Sequence, residues 1–293
     1  MYDKFFGSFL LNKKSLSKEE LRNILAHMQD VRIKIGTLAM SEGLMKGTQV
    51  ETVFQIQKKT DKKFGEIAVE LGYLTGKQVE ELLKYQSSES NLQLGQAAVD
   101  LGYLNYEKLD HELESFKNDS GLSRIQLKIL EEGDTDKIIK EFIDFDRSAN
   151  SEIYYDYVSL LLRNIIRFLD QQPWIDIHNE DDLDDKLTVY QFIENESRIF
   201  TGLCIDAEDR DVVAEHFARM PIDNDLELAE ASLKEFLNLQ NGIFTVNLSG
   251  KGLEYQMQPP EISRGSLLEE IASGHRIGIN MGIGKIVLVL APF

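Results

Sequence analysis

Apolar and polar positions in the first 116 residues recur with a period close to 30. The run from Phe64 to Leu74 (FGEIAVELGYL) returns at Leu94 to Leu104 (LGQAAVDLGYL), and Ile35 to Met45 (IGTLAMSEGLM) fits the same template. A fourth copy opens at Phe6-Gly7-Ser8-Phe9-Leu10-Leu11, with Lys14 in place of the second glycine. The anchor glycines Gly7, Gly36, Gly65 and Gly95 are spaced by 29, 29 and 30 residues, a regularity that marks an internal repeat. Each copy predicts two short helices. The first, such as Glu66 to Leu71, ends at a glycine able to take a left-handed cap. The second opens at an N-cap residue, Ser17, Thr75 or Asn105, with acidic residues such as Glu19, Glu20 and Glu107 in its first turn. It should bury apolar residues four apart, as in Leu21 and Leu25, Val50 and Phe54, or Val79 and Leu83. One copy cannot cover its own apolar face, so copies are expected to pair. Two helical modules follow, at residues 1–59 and 60–118, with their packed portions at 5–57 and 63–116.

After the turn cluster Lys117 to Gly121 the repeat stops. Leu122, Ile125, Ile129 and the run Ile138 to Ile143 predict one or two helices in a connector over 119–150, with a boundary near residue 148. From 151 to 293 the pattern mixes periods of 3.6 and 2. A long helix is expected over Ile153 to Leu169, and strands at Leu187 to Ile193 and Arg198 to Ile205 joined by a hairpin. Helices are expected at Arg210 to Arg219 and Leu226 to Asn241, the latter ended by Gly242. Four strands should follow, at Ile243 to Leu248, Leu253 to Met257, His275 to Met281 and Lys285 to Leu290. The chain thus reads as multidomain: α-helical tandem repeat modules, then an α+β domain with an antiparallel sheet packed against long helices.

Composition narrows the function classes. Net charge is −18, and the asymmetry matters more than the sum: residues 1–116 carry 15 Lys/Arg against 17 Asp/Glu, residues 117–293 carry 17 against 33. A duplex-binding surface needs the opposite balance, so no nucleic acid partner is expected. No run approaches the roughly 18 apolar residues of a membrane-spanning helix, and Met1-Tyr2-Asp3-Lys4 lacks a basic region followed by an apolar stretch, so no secretory signal is expected. A cytoplasmic protein without membrane insertion is expected. The single cysteine, Cys204, lies in an apolar run and reads as a buried structural thiol.

Several candidate sites dissolve on inspection. Gly278 to Gly284 followed by Lys285 lies between two strands, which makes it a hairpin rather than a phosphate loop. The acidic run Glu180 to Asp185 lacks the ligand alternation and central glycine of a calcium loop. The five histidines have no paired spacing, so no metal site is expected. The segment Ala231 to Gly242 is different. Glu235 and Asn238, three residues apart, project from one helical face, which taken alone is an ordinary solvated face.

Two resemblances change what these residues imply. The repeats resemble the N-terminal MshEN domain of type II secretion and type IV pilus assembly ATPases: Lys34-Ile35-Gly36 … Gly43 … Val50 … Phe54 … Gln57, and Lys63-Phe64-Gly65 … Gly72 … Val79 … Leu83 … Gln86. Some members of that family bind cyclic di-GMP through a leading arginine and nearby backbone. Here Phe5, Lys34, Lys63 and Gln93 occupy the arginine position, leaving Lys34, Gly36, Lys63 and Gly65 as the candidate dinucleotide contacts. Lysine supplies charge there without a planar fork. The second half resembles the CheC/CheX/FliY family of chemotaxis phosphatases, whose signature is Glu-x-x-Asn on a helix, then a glycine, then a proline. Glu235-Phe236-Leu237-Asn238, Gly242 and Pro259-Pro260 follow that order, with Ala231 where the family often has Ser or Asp. The helix around Tyr155 to Leu169 carries no second copy, which points to the CheX type.

That resemblance implies a function: Glu235 and Asn238 would be the catalytic pair that dephosphorylates the aspartyl phosphate of a CheY-like receiver domain. The receiver would bring its own Mg2+, and this chain would hold no cofactor. The family also implies a homodimer through the C-terminal sheet. The alternative is a non-catalytic adaptor or cyclic di-GMP receptor in pilus or motility signalling, with a vestigial CheX-like domain.

Overall fold

The computed structural model describes residues 2–28, 31–85, 92–145, 150–176, 183, 186–264 and 274–293. The chain divides into two compact units, Met1–Gly133 and Asp134–Phe293. The stretch 119–150 is shared between them. Helix α9 (Arg124–Glu132) ends at Gly133 in the left-handed conformation, and α10 (Thr135–Phe142) starts at once, N-capped by Asp134. Leu130 is buried in the first unit, whereas Ile138 and Ile139 are buried in the second, where α10 packs on the next helix.

In the first unit each sequence copy folds as a helix, a tight turn and a second helix. The eight helices are α1 (Tyr2–Asn12), α2 (Lys18–His27), α3 (Ile35–Ser41), α4 (Gly47–Gln57), α5 (Phe64–Glu70), α6 (Gly76–Tyr85), α7 (Gln93–Asp100) and α8 (Tyr106–Asp119). The first helix of each copy closes on the same bond, from an N–H to the carbonyl five residues earlier: Ser15 to Leu10, Leu44 to Ala39, Tyr73 to Ala68 and Tyr103 to Ala98, all at 2.8–2.9 Å. This bond requires a left-handed residue one position before the donor. Gly43, Gly72 and Gly102 supply it, and Lys14 adopts it at φ 57° despite its side chain. Ser17, Thr75 and Asn105 cap the second helices as expected.

The leading glycine of each copy has a packing role. A Cβ at Gly7, Gly36, Gly65 or Gly95 would fall within 2.6–3.0 Å of Leu21, Val50, Val79 or Leu109, the residue fourteen positions on. That contact sets the phase of the second helix. The inward pairs are therefore three apart, Leu21 with Ile24 and Val50 with Val53, while Leu83, expected to be buried beside Val79, is 49% exposed and Leu82 takes its place. Contacts between copies run through the fourth. α7 and α8 receive α1, and α8 receives α3 and α4, while the third copy packs on the second. Asp3 accepts from the backbone of Gln93 at the start of α7, and Asp110 accepts from Gly47 at the start of α4. Phe116 on α8 collects the edges of Tyr2, Phe6 and Phe9.

The second unit is an antiparallel seven-stranded sheet with helices on one face. The strands are β1 (Trp174–Asp176), β2 (Leu187–Glu194), β3 (Arg198–Ile205), β4 (Gln256–Met257), β5 (Glu261–Arg264), β6 (His275–Met281) and β7 (Gly284–Pro292). Their order is β1-β6-β7-β3-β2-β4, with β5 also pairing β2. Alternation along β2 and β3 turns Val189, Gln191, Ile193, Ile199, Thr201 and Leu203 toward the helices. The opposite face buries Phe200, Cys204, Val287, Val289 and Ala291, with Leu183 packed against them. Burial pushes the Cys204 thiol up to about 11.

After α10, the helices of this unit among the described residues are α11 (Ser151–Asn164), α12 (Ala207–Ala218) and α13 (Leu226–Gly250). α11 stops short of the expected Leu169. A π-helical turn, Ile165–Leu169, finishes it, and Asp170 turns the chain at φ 54°. α13 overrides the expected stop at Gly242 and absorbs the segment Ile243 to Leu248 read as a strand. Its buried positions Phe236, Leu237, Gln240, Asn241, Phe244 and Leu248 keep helical spacing across the glycine. The strand expected over Leu253 to Met257 shrinks to β4. The stretch Gly278 to Gly284 is the end of a hairpin, with Gly282 and Ile283 turning the chain from β6 into β7, and Lys285 pairs with Asp176 at 2.8 Å. Apart from Leu183, the acidic run Glu180 to Asp185 lies outside the described residues. Among the described residues no helix is long and apolar enough to cross a membrane.

Two expected outcomes test the packing of the helical unit. A Cβ at Gly47 would lie 2.3 Å from the Tyr106 carbonyl, whereas one at Gly76 meets nothing within 4 Å. Gly47→Ala should therefore destabilise the unit by about 1–3 kcal/mol and Gly76→Ala by less than about 0.5, measured by hydrogen exchange in α4 and α8. Asp3 is buried, and that burial raises its carboxyl to about 7 against the hydrogen bonds from Leu94 and Gln93 that lower it. Since the unfolded carboxyl ionises near 3.8, stability is fully held below that pH and falls as pH rises through about 7. Protection of α1 and α7 should drop between about pH 4 and 7, and Asp3→Asn should abolish the dependence.

Candidate functional site

Helix α13 carries the segment singled out in the sequence. Asp225 caps it by accepting from the Leu228 N–H at 3.1 Å, and Glu227 adds favourable charge in the first turn. The helix lies along β2, between α11 and α12. Its outward stripe is Ala231, Glu235, Asn238, Gly242 and Val246, spaced by 4, 3, 4 and 4 residues, so all five fall within one narrow face. Glu235 is exposed, Asn238 partly buried, and Val246 71% exposed. Met257 of β4 lies beside the stripe, its methyl 3.9 Å from where a Gly242 Cβ would stand. The two polar groups are thus set among small and apolar ones, in a shallow surface a partner's backbone could approach.

Beneath Asn238 lies a buried polar network. Asn238 Oδ1 accepts from Gln191 Nε2 at 3.1 Å, and the same nitrogen donates to the Gln258 carbonyl at 2.6 Å. Gln191 Oε1 accepts from Asn241 Nδ2 at 2.8 Å. Asn241 Nδ2 also donates to Thr201 Oγ1 at 2.8 Å, and Asn241 Oδ1 accepts from the Tyr157 hydroxyl at 2.7 Å. Thr201 in turn donates to the Gln191 carbonyl. Gln240, one residue before Asn241, accepts from Asn164 of α11 at 2.7 Å. Gln191, Thr201, Gln240 and Asn241 are each at most 1% exposed. Burial drives the Tyr157 hydroxyl well above its ordinary range, so it stays protonated and can donate.

Sequence reasoning placed Glu235 and Asn238 on one face, and the structure brings them there. It missed the network behind them. The signal was present in the phase of the pattern: Gln191, Thr201 and Asn241 are polar residues at the inward positions of three separate amphipathic elements. Buried polar groups at such positions need partners, and these three are partners for one another.

The candidate dinucleotide contacts sit in the first unit. Lys34 Nζ pairs with Asp100 at 2.6 Å, and its backbone N–H donates to Gln96. Lys63 caps α5, its N–H donating to Glu66. Gly36 and Gly65 are covered by Val50 and Val79. Among the described residues no three His, Cys, Asp or Glu side chains gather as metal ligands.

No protein-family model and no curated protein sequence matches the chain. Several solved structures resemble it over about half its length. The chemotaxis protein CheX from Vibrio vulnificus is 11% identical, with TM-score 0.43, over 50% of this chain and 99% of that one. A chain of the CheX–CheY–BeF3–Mg2+ complex from Borrelia burgdorferi is 17% identical, with TM-score 0.38, over 48% and 97%. Thermotoga maritima FliY is 11% identical, with TM-score 0.35, over 46% and 84%.

The network and the outward stripe should respond differently to mutation. Asn241→Leu leaves Gln191 Oε1 without its donor, removes the Oδ1 that accepts from the Tyr157 hydroxyl and the Nδ2 that donates to Thr201, and should cost the second unit about 3–5 kcal/mol. Asn238→Ala removes only the outermost link and should cost less than about 1 kcal/mol. The sole tryptophan, Trp174, is buried in this unit, so its fluorescence during urea unfolding measures both.

Proposed function

We propose that the second unit is a phosphatase for the aspartyl phosphate of a CheY-like receiver domain, acting through Glu235 and Asn238. The observation that carries this reading is the placement of both side chains on the outward stripe of one continuous 25-residue helix. The match to the Glu-x-x-Asn signature supports it.

The reaction is hydrolysis. A water oxygen bonds to phosphorus, the bond from phosphorus to the aspartyl oxygen breaks, and the receiver's carboxylate and inorganic phosphate leave. The receiver's own Mg2+ neutralises charge on the phosphoryl oxygens. What this chain adds is position. The Asn238 carboxamide holds the water in line with the phosphoryl group, with one end accepting and the other donating, and needs no change of protonation. Glu235, one turn earlier, pairs with the receiver's active-site lysine and fixes the docking register. Ala231 and Gly242 on the same stripe keep the helix surface low enough for that approach.

We read the helical unit, by its sequence resemblance to MshEN, as a module that docks another protein of the same cytoplasmic assembly. The Lys34–Asp100 pair and the filled positions at Gly36 and Gly65 favour protein docking over cyclic di-GMP.

Receivers from the same organism, charged with acetyl phosphate, provide the test. The purified protein should shorten the phosphoryl lifetime of at least one receiver about 10-fold or more, and Asn238→Ala should abolish the effect, a loss of at least about 1.4 kcal/mol in transition-state stabilisation. Glu235→Ala should act mainly by raising KM. If no receiver responds to the wild-type protein, the enzymatic reading fails.

A further inference from the structure

The network beneath α13 has a direction, and that direction is fixed from outside the side chains that form it. The Gln258 carbonyl can only accept, so the Gln191 group facing it at 2.6 Å is Nε2. The second Nε2 hydrogen then points to Asn238, which must present Oδ1. Gln191 Oε1 is left facing Asn241, which must offer Nδ2. The Gln191 carbonyl likewise can only accept, so Thr201 donates to it and uses a lone pair for the other Asn241 hydrogen. Asn241 Oδ1 therefore faces Tyr157, whose hydroxyl donates. Two main-chain carbonyls thus decide the orientation of every amide in the chain, ending with Asn238.

We propose that Gln191 is a positioning residue: it fixes the rotamer and the polarity of the Asn238 carboxamide, with Oδ1 drawn toward the sheet and Nδ2 turned away from it. The catalytic consequence rests on the phosphatase reading above. With one Oδ1 lone pair taken by Gln191, the other lone pair and the Nδ2 hydrogens are held at set directions on the docking face. A free asparagine would divide its time among rotamers and between two amide orientations. Gln191 removes that freedom before the receiver arrives, so the ordering cost does not fall on the reaction. Gln191 sits on β2 and has no need to touch the receiver. Its effect passes through Asn238.

Side-chain amide relaxation by NMR and receiver dephosphorylation, taken together, test this. In the wild-type protein the Asn238 side-chain amide should have an order parameter near that of rigid backbone, about 0.85, and in Gln191→Met it should fall below about 0.6. At saturating phosphorylated receiver, Gln191→Met should lower kcat about 10-fold or more and leave KM within about twofold, because docking is unchanged and aim is lost. A role confined to stability would lower the urea midpoint and leave both the Asn238 order parameter and kcat per folded molecule unchanged, which would overturn the proposal. Should Gln191→Met fail to fold, the wild-type order parameter decides: a mobile Asn238 amide overturns the proposal and a rigid one supports it. If the wild-type protein dephosphorylates no receiver, the phosphatase reading falls, while the NMR result still decides whether Gln191 orients Asn238.

Discussion

The hydrogen bonds between Gln191, Asn241 and Thr201 are the constraint around which the second unit is arranged. Each of these side chains is buried, and each would carry a large desolvation cost alone. Their partners lie on different elements, β2, β3 and α13, with Tyr157 of α11 as a fourth contributor. Apolar packing tolerates sliding by a fraction of a residue, whereas these bonds hold only at one register. They pin α13 along β2 and α11 beside α13, and so determine which stripe of α13 faces outward. Hydrophobic burial of Phe236, Leu237 and Phe244 supplies most of the driving force for the same contact, and the polar bonds select its alignment.

This division explains which features were legible in the sequence. The paired strands β2 and β3, and β6 and β7, were read almost to the residue, because alternating apolar positions meet short turns. Helices in the first 119 residues were also legible, since a 29- or 30-residue repeat multiplies every local signal. Which copies pack together was not, because α1 packs on α7 and α8, and α3 and α4 on α8. Errors arose where two signals competed. Gly242 suggested a helix end, but the apolar spacing of α13 runs through it, and packing on the sheet outweighs the propensity cost of about 1 kcal/mol for one glycine. β1 and β5 have only three and four residues and leave little pattern to read. Leu83 was expected to be buried because four-residue spacing was favoured over three, and the contact of Gly65 with Val79 decides the matter in three dimensions.

For the candidate site, the two outward residues were legible and their support was not. Glu235 and Asn238 are ordinary polar residues on a helix face until a motif gives them meaning. Gln191 looks like an isolated polar interruption in a strand until Asn241 and the Gln258 carbonyl are seen around it. In the proposed reaction the Asn238 amide would contribute position alone, so the bonds that support it would matter as much as the group itself. The buried network reaches Asn238 through Gln191 Nε2, which donates to its Oδ1, on a helix stripe where Ala231 and Gly242 present little or no side chain.

The proposed function requires this face of α13 to enter a receiver's phosphorylation site. A crystal structure of the protein bound to a beryllofluoride-activated receiver measures it directly. The Asn238 carboxamide should lie within about 3 Å of the fluoroberyllate group or of a water in line with it, and Glu235 on the receiver's lysine. A complex in which α13 faces solvent, or in which the receiver docks elsewhere on the chain, would contradict it.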